Sequence, residues 1–113
     1  MLKRKDRLSN KNAVRRSSRY GKQVKGFDLS IRFIENNVSH PRLAVVVSKK
    51  VSKSAVKRNT IKRRLIEAYR QNVLQKINTP VDIVIFVHNS KILNKSPQQL
   101  VRELFELFEE AKI

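Results

Sequence analysis

The sequence predicts an α/β (α+β) two-layer sandwich, in which three helices cover a small sheet of about four strands. Its 113 residues suffice for one domain with one modest core and are too few for two. Two glycines, three prolines and 40% hydrophobic residues are typical of a globular chain rather than a disordered tail. The segments follow the order helix, strand, strand, helix, strand, helix, so we expect a single domain over residues 1–113.

Caps and apolar spacing define the first and last helices. Ser9 or Asn10 is placed to cap a first helix over about residues 10–20, and Gly21 is placed to end it. Ser96 is placed to cap a last helix with proline at its first position. This last helix carries an apolar stripe for packing on the core, made of Leu100, Leu104, Phe105, Leu107 and Phe108.

Three segments have the composition of strands. Residues 27–35, "FDLSIRFIE", alternate apolar and polar side chains, so we expect one buried face. That face would consist of Phe27, Leu29, Ile31 and Phe33. "RLAVVVSKK" contains a β-branched run without alternation and predicts a strand buried on both faces. "VDIVIFV", residues 81–87, predicts a second strand of this kind.

The net charge is the property that bears most directly on function. Twenty-six Lys and Arg against nine Asp and Glu give +17, far more than solubility requires. Such a field attracts polyanions, so nucleic acid is the leading partner and an anionic membrane surface the second. The last helix is acidic, and we expect it to face away from the partner.

Several classes of protein are excluded or disfavoured. Without cysteine there are no disulfides or thiolate metal sites. No apolar run approaches the roughly 20 residues of a membrane span. The basic N-terminus is not followed by the apolar run of a signal peptide. We therefore expect a cytoplasmic protein without membrane association. His40 and His88 lack the carboxylates of a metal site, although His88 at a strand end is suited to an RNA phosphate. With no phosphate loop, nucleophile elbow or carboxylate pair, we expect no catalytic residue and no metal site.

The stretch "AVKRNTIKRRLIEAYR" predicts a basic helix over about residues 55–75. At 100° per residue, four apolar residues share one side of it: Ile61, Leu65, Ala68 and Tyr69. The adjoining stripe carries donors suited to phosphates, bases and sugar hydroxyls: Arg58, Asn59, Lys62, Arg63 and Arg70. Lys57 and Arg64 lie on a third side. Glu67 is nearly the only acid present to neutralise these charges, which favours RNA binding over a merely solvated helix face.

The stretch "RLAVVVSKKVSKSAVKRNTIKRRLIEAYR" resembles the bacterial ribonuclease P protein subunit, with its strand, its "SKK" and its helix of pattern "AVxRNxxKRRxxEAxR". "RLSNKNAVRRSSRYGK", "VDIVIFV" and the last helix occur in the same order, so the resemblance covers most of the chain. It implies a left-handed crossover around the basic helix, which general handedness rules do not predict. It also implies a protein that binds the catalytic RNA and helps it remove the 5′ leader of precursor tRNA. The resemblance further implies that the RNA holds the magnesium and that no protein partner is obligatory.

Carried over residue by residue, the resemblance implies RNA contacts within the basic helix, at Arg58, Asn59, Lys62 and Arg63. Lys49 and Lys50, just before the helix, are weaker candidates. Thr60 and Ile66 stand where the family usually has arginine. Ile66 falls in the middle of the donor stripe, where it either contacts a base or sugar face or is simply tolerated at the edge.

The resemblance also implies a cleft between the first helix and the sheet that receives the leader. Family members usually carry two phenylalanines on this helix and a tyrosine on the next strand, where leader bases can stack. Here those positions hold Val14, Ser18 and Arg32. Arg19, Tyr20 and Arg32 would replace the aromatic side chains only in part. We therefore expect leader binding to depend more on charge than on stacking.

Two other interpretations of the charge are open. A ribosomal or ribonucleoprotein-assembly protein, which coats RNA without a role in cleavage, has the same composition. The pattern "AVKRNTIKRR" directly after a strand is what distinguishes the ribonuclease P interpretation from it. A DNA-binding domain would need a recognition helix exposed after a short turn, and the order strand, basic helix, strand disfavours it.

Overall fold

A computed structural model describes residues 2–113 and confirms the α+β fold class. Its three α-helices are α1 Lys11–Tyr20, α2 Ala55–Asn72 and α3 Pro97–Ala111. Its four strands are β1 Lys22–Lys25, β2 Leu29–Glu35, β3 Arg42–Val46 and β4 Val81–Val87. Short 3₁₀ turns occupy Arg4–Asp6, Leu74–Lys76 and Ser90–Asn94.

The four strands form one mixed sheet in the order β1-β2-β4-β3. The pairs β1–β2 and β2–β4 are antiparallel, whereas β3 and β4 are parallel. Helix α2 connects the two parallel strands, as the family crossover requires. The handedness of that crossover stays an implication of the resemblance.

The two faces of the sheet are covered by different helices. Leu29, Ile31, Ile83 and Ile85 are fully buried in a core cluster that they share with α2 and α3. Helix α1 also packs against β2 and β4, and Val84 of β4 is buried but lies outside that cluster, although its neighbours Ile83 and Ile85 belong to it. Because successive side chains of a strand alternate between faces, α1 covers the opposite face, which we call the α1 face.

The predicted helix caps are confirmed. The Asn10 side chain accepts hydrogen bonds from the first turn of α1, and Ser96 forms a capping box at the start of α3. Gly21 ends α1 with an ordinary φ of −70°. Glycine is required there because a Cβ would lie 2.4 Å from the carbonyl oxygen of Ser17 and 2.9 Å from that of Phe33. The apolar stripe of α3 is buried or half-buried, as predicted.

The strands differ from the prediction in three respects. β1 was not predicted, because Lys22–Lys25 is a polar edge strand in which only Val24 is half-buried. The prediction that the strand at Arg42–Val46 is buried on both faces is wrong, because β3 is the other edge strand and is mostly half-buried. Phe27 is 98% exposed, because it lies in the β1–β2 turn before β2 begins. The central strand β4 is buried on both faces, as predicted.

A polar network joins the β1–β2 turn to the segment before α3. Buried Asp28 accepts hydrogen bonds from Asn89 Nδ2, at 2.6 Å, and from Lys95 Nζ. Lys95 Nζ also donates to Glu103 of α3. The hydrogen bonds from Lys95 and Asn89 hold the pKa of Asp28 below its ordinary value of 3.8. The network therefore favours the ionised form of Asp28 in the folded chain.

Asp28 should make the stability of the fold depend on pH. Because its pKa is lower in the folded chain than in the unfolded chain, its contribution is present above about pH 5 and is lost as the pH falls through the folded-state value. In thermal melts, Asp28→Asn should lower Tm at neutral pH, and the difference from wild type should shrink with acidification. Glu106→Gln, at an exposed position of α3, is the control. A Tm difference that stays constant as the pH falls below the folded-state pKa of Asp28 would contradict this role.

Candidate RNA-binding surface

Helix α2 has the buried side that the sequence predicts. The Ser54 side chain caps it by accepting a hydrogen bond from the backbone N–H of Lys57, at 3.2 Å. The four predicted core residues are all buried: Ile61, Leu65, Ala68 and Tyr69. Ile66 is half-buried and packs against the core. Of the two roles left open for Ile66, the structure favours an apolar residue tolerated at the edge of the donor stripe.

The donors on the adjoining stripe differ in how free their side chains are. Asn59 and Arg63 are exposed, and Lys62 is half-buried. Within residues 2–113, no carboxylate lies within ion-pair distance of Lys62 or Arg63. Arg70 forms an ion pair with Glu67 at 2.9 Å, and its hydrogen bond lowers the pKa of Glu67 to about 2. Lys62, Arg63 and Asn59 are therefore the donors of the stripe whose side chains are most available to a ligand.

Two arginines of α2 are engaged by backbone carbonyls. Nη1 of Arg58 donates to two carbonyls of the turn before the helix, at 2.9 and 3.0 Å. Arg64 donates to three carbonyls within residues 92–95. Arg58 thus holds the turn before the helix as well as belonging to the predicted donor stripe, and Arg64 links α2 to the segment that follows β4. The sequence does not predict the Arg64 contacts, because the carbonyls lie 28 to 31 residues further along the chain.

Further polar residues lie at the end of the sheet where β3 and β4 finish. Lys49 and Lys50 are exposed in the turn after β3. His88 is exposed just after β4, and its Nε2 lies 2.9 Å from the hydroxyl of Ser30. Because β3 and β4 are parallel, both groups of residues lie at the same end of the sheet.

Three of the candidates for the leader cleft lie on or against the α1 face. Val14 and Ser18 are half-buried on α1, and the Ser18 hydroxyl donates to the Val14 carbonyl at 2.9 Å. Arg32 projects from the α1 face of β2, since the neighbouring Ile31 and Phe33 pack on the core. The structure therefore brings Val14, Ser18 and Arg32 to one side of the sheet.

The other two candidates lie at the end of α1. Tyr20 is 71% exposed, and Arg19 is also exposed. At 100° per residue, Arg19 lies on the side of α1 away from the buried Ser17, and hence away from the sheet.

An additional aromatic side chain, Phe86, lies on the α1 face of β4. Sequence reasoning missed Phe86, because an apolar run alone does not show which of its alternating side chains face the core, and that assignment required the register of β4.

The described part of the chain offers little to a metal ion. Residues 2–113 contain no group of three His, Cys, Asp or Glu side chains able to hold one. Within the same range, no helix is long and apolar enough to cross a membrane. The candidate surface is characterised by basic side chains, with one aromatic side chain, Phe86, on the α1 face.

Comparison with known proteins identifies relatives over nearly the whole chain. The family model for ribonuclease P matches residues 2–112. A ribonuclease P protein component from Pseudanabaena sp. is 33% identical over 114 residues, which cover 94% of this chain and 96% of the relative. Another, from Clostridioides difficile, is 34% identical over 101 residues, which cover 84% of this chain and 88% of the relative.

Solved structures share the fold. The RNase P protein of Staphylococcus aureus superposes with a TM-score of 0.80 at 25% identity, covering 96% of both chains. That of Thermotoga maritima also gives 0.80, at 23% identity, covering 92% of this chain and 96% of its own. Proteins of this family are the protein subunit of ribonuclease P, a ribonucleoprotein endoribonuclease of tRNA 5′ processing, and associate with its RNA. The matched family model, the curated relatives and the shared fold together show that this chain belongs to the ribonuclease P protein family.

Proposed function

We propose that the chain, bound to the ribonuclease P RNA, also binds precursor tRNA through its single-stranded 5′ leader and so helps the RNA to remove that leader. The observation that carries this proposal is the separation of two basic surfaces. One is the donor stripe of α2, where Lys62 and Arg63 have no ion-pair partner within residues 2–113. The other is the α1 face, which carries Arg32.

The two surfaces suit two RNA ligands. A rigid helix that presents Arg and Lys forks is suited to the folded catalytic RNA, because such side chains bind phosphates without reading sequence. A basic groove beside aromatic side chains is suited to a single strand. Positive charge at the junction of two RNAs offsets the phosphate repulsion that magnesium ions would otherwise have to neutralise. The protein would then act by binding and positioning, with no catalytic residue of its own.

We propose that the RNA holds the catalytic magnesium, because the donor set of this chain fits the ion poorly. Magnesium prefers carboxylate and water oxygens, and four of the buried or half-buried carboxylates are already engaged by basic side chains. Asp28 and Glu103 contact Lys95, Asp82 contacts Arg42, and Glu67 contacts Arg70. We place the reaction in the cytoplasm, where precursor tRNA is processed, with no obligatory protein partner.

The test is cleavage of a precursor tRNA by a bacterial ribonuclease P RNA at low magnesium concentration, with and without the protein. The protein alone is the control. We expect leader removal only when RNA and protein are both present. RNA binding without any gain in cleavage would favour the alternative, a ribosomal or assembly protein that coats RNA. Cleavage by the protein alone would contradict the assignment of catalysis to the RNA.

The donor stripe of α2 makes a prediction about salt. Lys62→Ala and Arg63→Ala should each weaken binding to the catalytic RNA and reduce the slope of log K against log salt by about 0.7–0.9 for each phosphate that is no longer bound. Lys57→Ala is the matched control, because Lys57 is exposed on another side of the same helix. Arg58 is unsuitable here because it also holds the turn before α2. Equal slopes for Lys57→Ala and Arg63→Ala would show that the stripe is misplaced.

A further inference from the structure

We propose that Phe86 is a stacking platform for one unpaired base of the leader, supplied by β4 where relatives supply aromatic side chains from the first helix. The proposal rests on the function proposed above and names a residue that the resemblance did not assign. It also revises the expectation that the leader is held mainly by charge.

The position of Phe86 follows from the register of the sheet. β4 is a central strand, and Phe86 pairs with Ser30 of β2 on one side and Val46 of β3 on the other. Ile85 and Val87, its neighbours in sequence, belong to the core cluster beneath α2 and α3. Phe86 therefore projects from the α1 face, and it lies outside both the core cluster and the half-buried residues packed against it.

Phe86 lies where the cover of α1 ends. Val84, two residues earlier on the same face, is fully buried although it is not part of the core cluster, so the α1 side covers it. Phe86 itself is only half-buried. A large apolar ring that is left partly exposed on a central strand does not gain the full stabilisation that burial would give. A smaller residue at this position would leave less apolar surface exposed. A ring partly covered and partly open is the arrangement that base stacking requires.

The neighbours of Phe86 also suit a nucleotide. Ser30 is small and leaves space beside the ring, and its hydroxyl contacts His88 Nε2 at 2.9 Å, which orients a second ring at the same end of the sheet. Arg32 shares the α1 face, and Lys49 and Lys50 follow β3 at the same end. Aromatic side chains combined with a basic groove are how single-stranded nucleic acids are bound without sequence preference.

Phe27 is more exposed than Phe86 but lies in a different electrostatic environment. It lines a shallow depression beside α3, in which five acidic residues accompany four basic ones: Asp28, Glu103, Glu106, Glu109 and Glu110, with Lys25, Lys91, Lys95 and Arg102. Lys95 is paired with Asp28 and Glu103 there, so the depression carries no excess of positive charge to attract a phosphate backbone. The two phenylalanines therefore form a matched pair for experiment.

The test uses the reconstituted complex of protein and ribonuclease P RNA with precursor tRNAs that carry 2-aminopurine at single leader positions. Stacking quenches the fluorescence of 2-aminopurine, so the wild type should quench it at one position. Phe86→Leu should abolish that quenching and weaken binding of the precursor by about 5- to 150-fold, the range for one stacked base. Binding of mature tRNA, which lacks the leader, should not change. Phe86→Tyr should retain both properties, and Phe27→Leu should behave as wild type.

Two results would overturn the proposal: no leader position quenched by the wild-type complex, or equal quenching by Phe86→Leu. If Phe86→Leu folds poorly, the proposal is still tested by the wild-type complex, which should quench at one leader position, and by Phe86→Tyr, which should retain that quenching. Cleavage at low magnesium separates this inference from the proposed function. A wild-type complex that cleaves normally but gives no Phe86-dependent quenching would contradict only the stacking role. A wild-type protein that gives no gain in cleavage would contradict the proposed function itself.

Discussion

Replacing Ile61 with alanine is expected to lower the free energy of unfolding by about 2–5 kcal/mol. Ile61 is fully buried on the core side of α2, in the cluster that includes Ile83 and Ile85 of the central strand. The substitution removes apolar packing and leaves a cavity between helix and sheet. The β3–β4 ladder holds one wall of that space, so it can close only in part. Urea denaturation, followed by circular dichroism, measures the change.

The matched control for Ile61→Ala is Val56→Ala, on the same helix. Val56 is 76% exposed, so its truncation should change stability by no more than about 0.5 kcal/mol. At temperatures where Ile61→Ala remains folded, the salt dependence of RNA binding should equal that of the wild type, because no phosphate donor has been removed. A reduced salt slope for Ile61→Ala would show that the buried and basic sides of α2 are not independent.

The second large effect is expected for Asp82→Ala, which should lower the free energy of unfolding by about 3 kcal/mol. Asp82 is 1% exposed. Its carboxylate accepts two hydrogen bonds from Arg42, at 2.8 and 2.9 Å, and one from Asn36 Nδ2, at 2.8 Å. Its removal leaves the Arg42 charge without its partner and frees the turn that Asn36 ties to β4. This value is at the lower end of the range for removing one partner of a buried ion pair, because the Arg42 side chain is 23% exposed.

A double-mutant cycle tests the origin of the Asp82 effect. If the cost comes from an unpaired guanidinium, the double substitution Asp82→Ala with Arg42→Ala should lose less stability than the sum of the two single substitutions. Glu35→Ala, at an exposed position of the neighbouring strand, should be nearly neutral. Strict additivity of the two single substitutions would contradict the ion pair as the source of stability.

The sequence was most informative about α2. Its apolar residues recur with the helical period, so the four core positions could be predicted by angle alone, and all four are buried. The strands were harder, because an apolar run does not show whether a strand lies at the centre or the edge of a sheet. β3 and β4 have similar composition, yet β3 pairs on one side only with another named strand and β4 on both. Lys22–Lys25 forms a strand because β2 offers it a partner, and nothing in its own side chains requires it.

Contacts between distant parts of the chain limited the prediction of the site. Arg58, Arg63 and Arg64 look alike in sequence, but only Arg63 is exposed and without an ion-pair partner within residues 2–113. Arg58 and Arg64 are drawn to carbonyls whose positions depend on the folded turns around them. The missing aromatic side chains of α1 could be read from the sequence, whereas the placement of Phe86 on the α1 face required the register of β4. The assignment of these residues to RNA stays a prediction.

Gly21 has a consequence for how the space between α1 and the sheet varies among related chains. A Cβ at this position would lie only 2.9 Å from the carbonyl oxygen of Phe33, so the end of α1 approaches the main chain of β2 closely. The distance between helix and sheet at that point is thus independent of the side chains that line the space. Substitutions such as those at Val14, Ser18 and Arg32 can alter the chemistry of the lining while the spacing stays constant. If the leader binds in this space, as proposed above, a constant spacing would accept its sugar–phosphate chain whatever bases it carries, and the lining could differ from chain to chain.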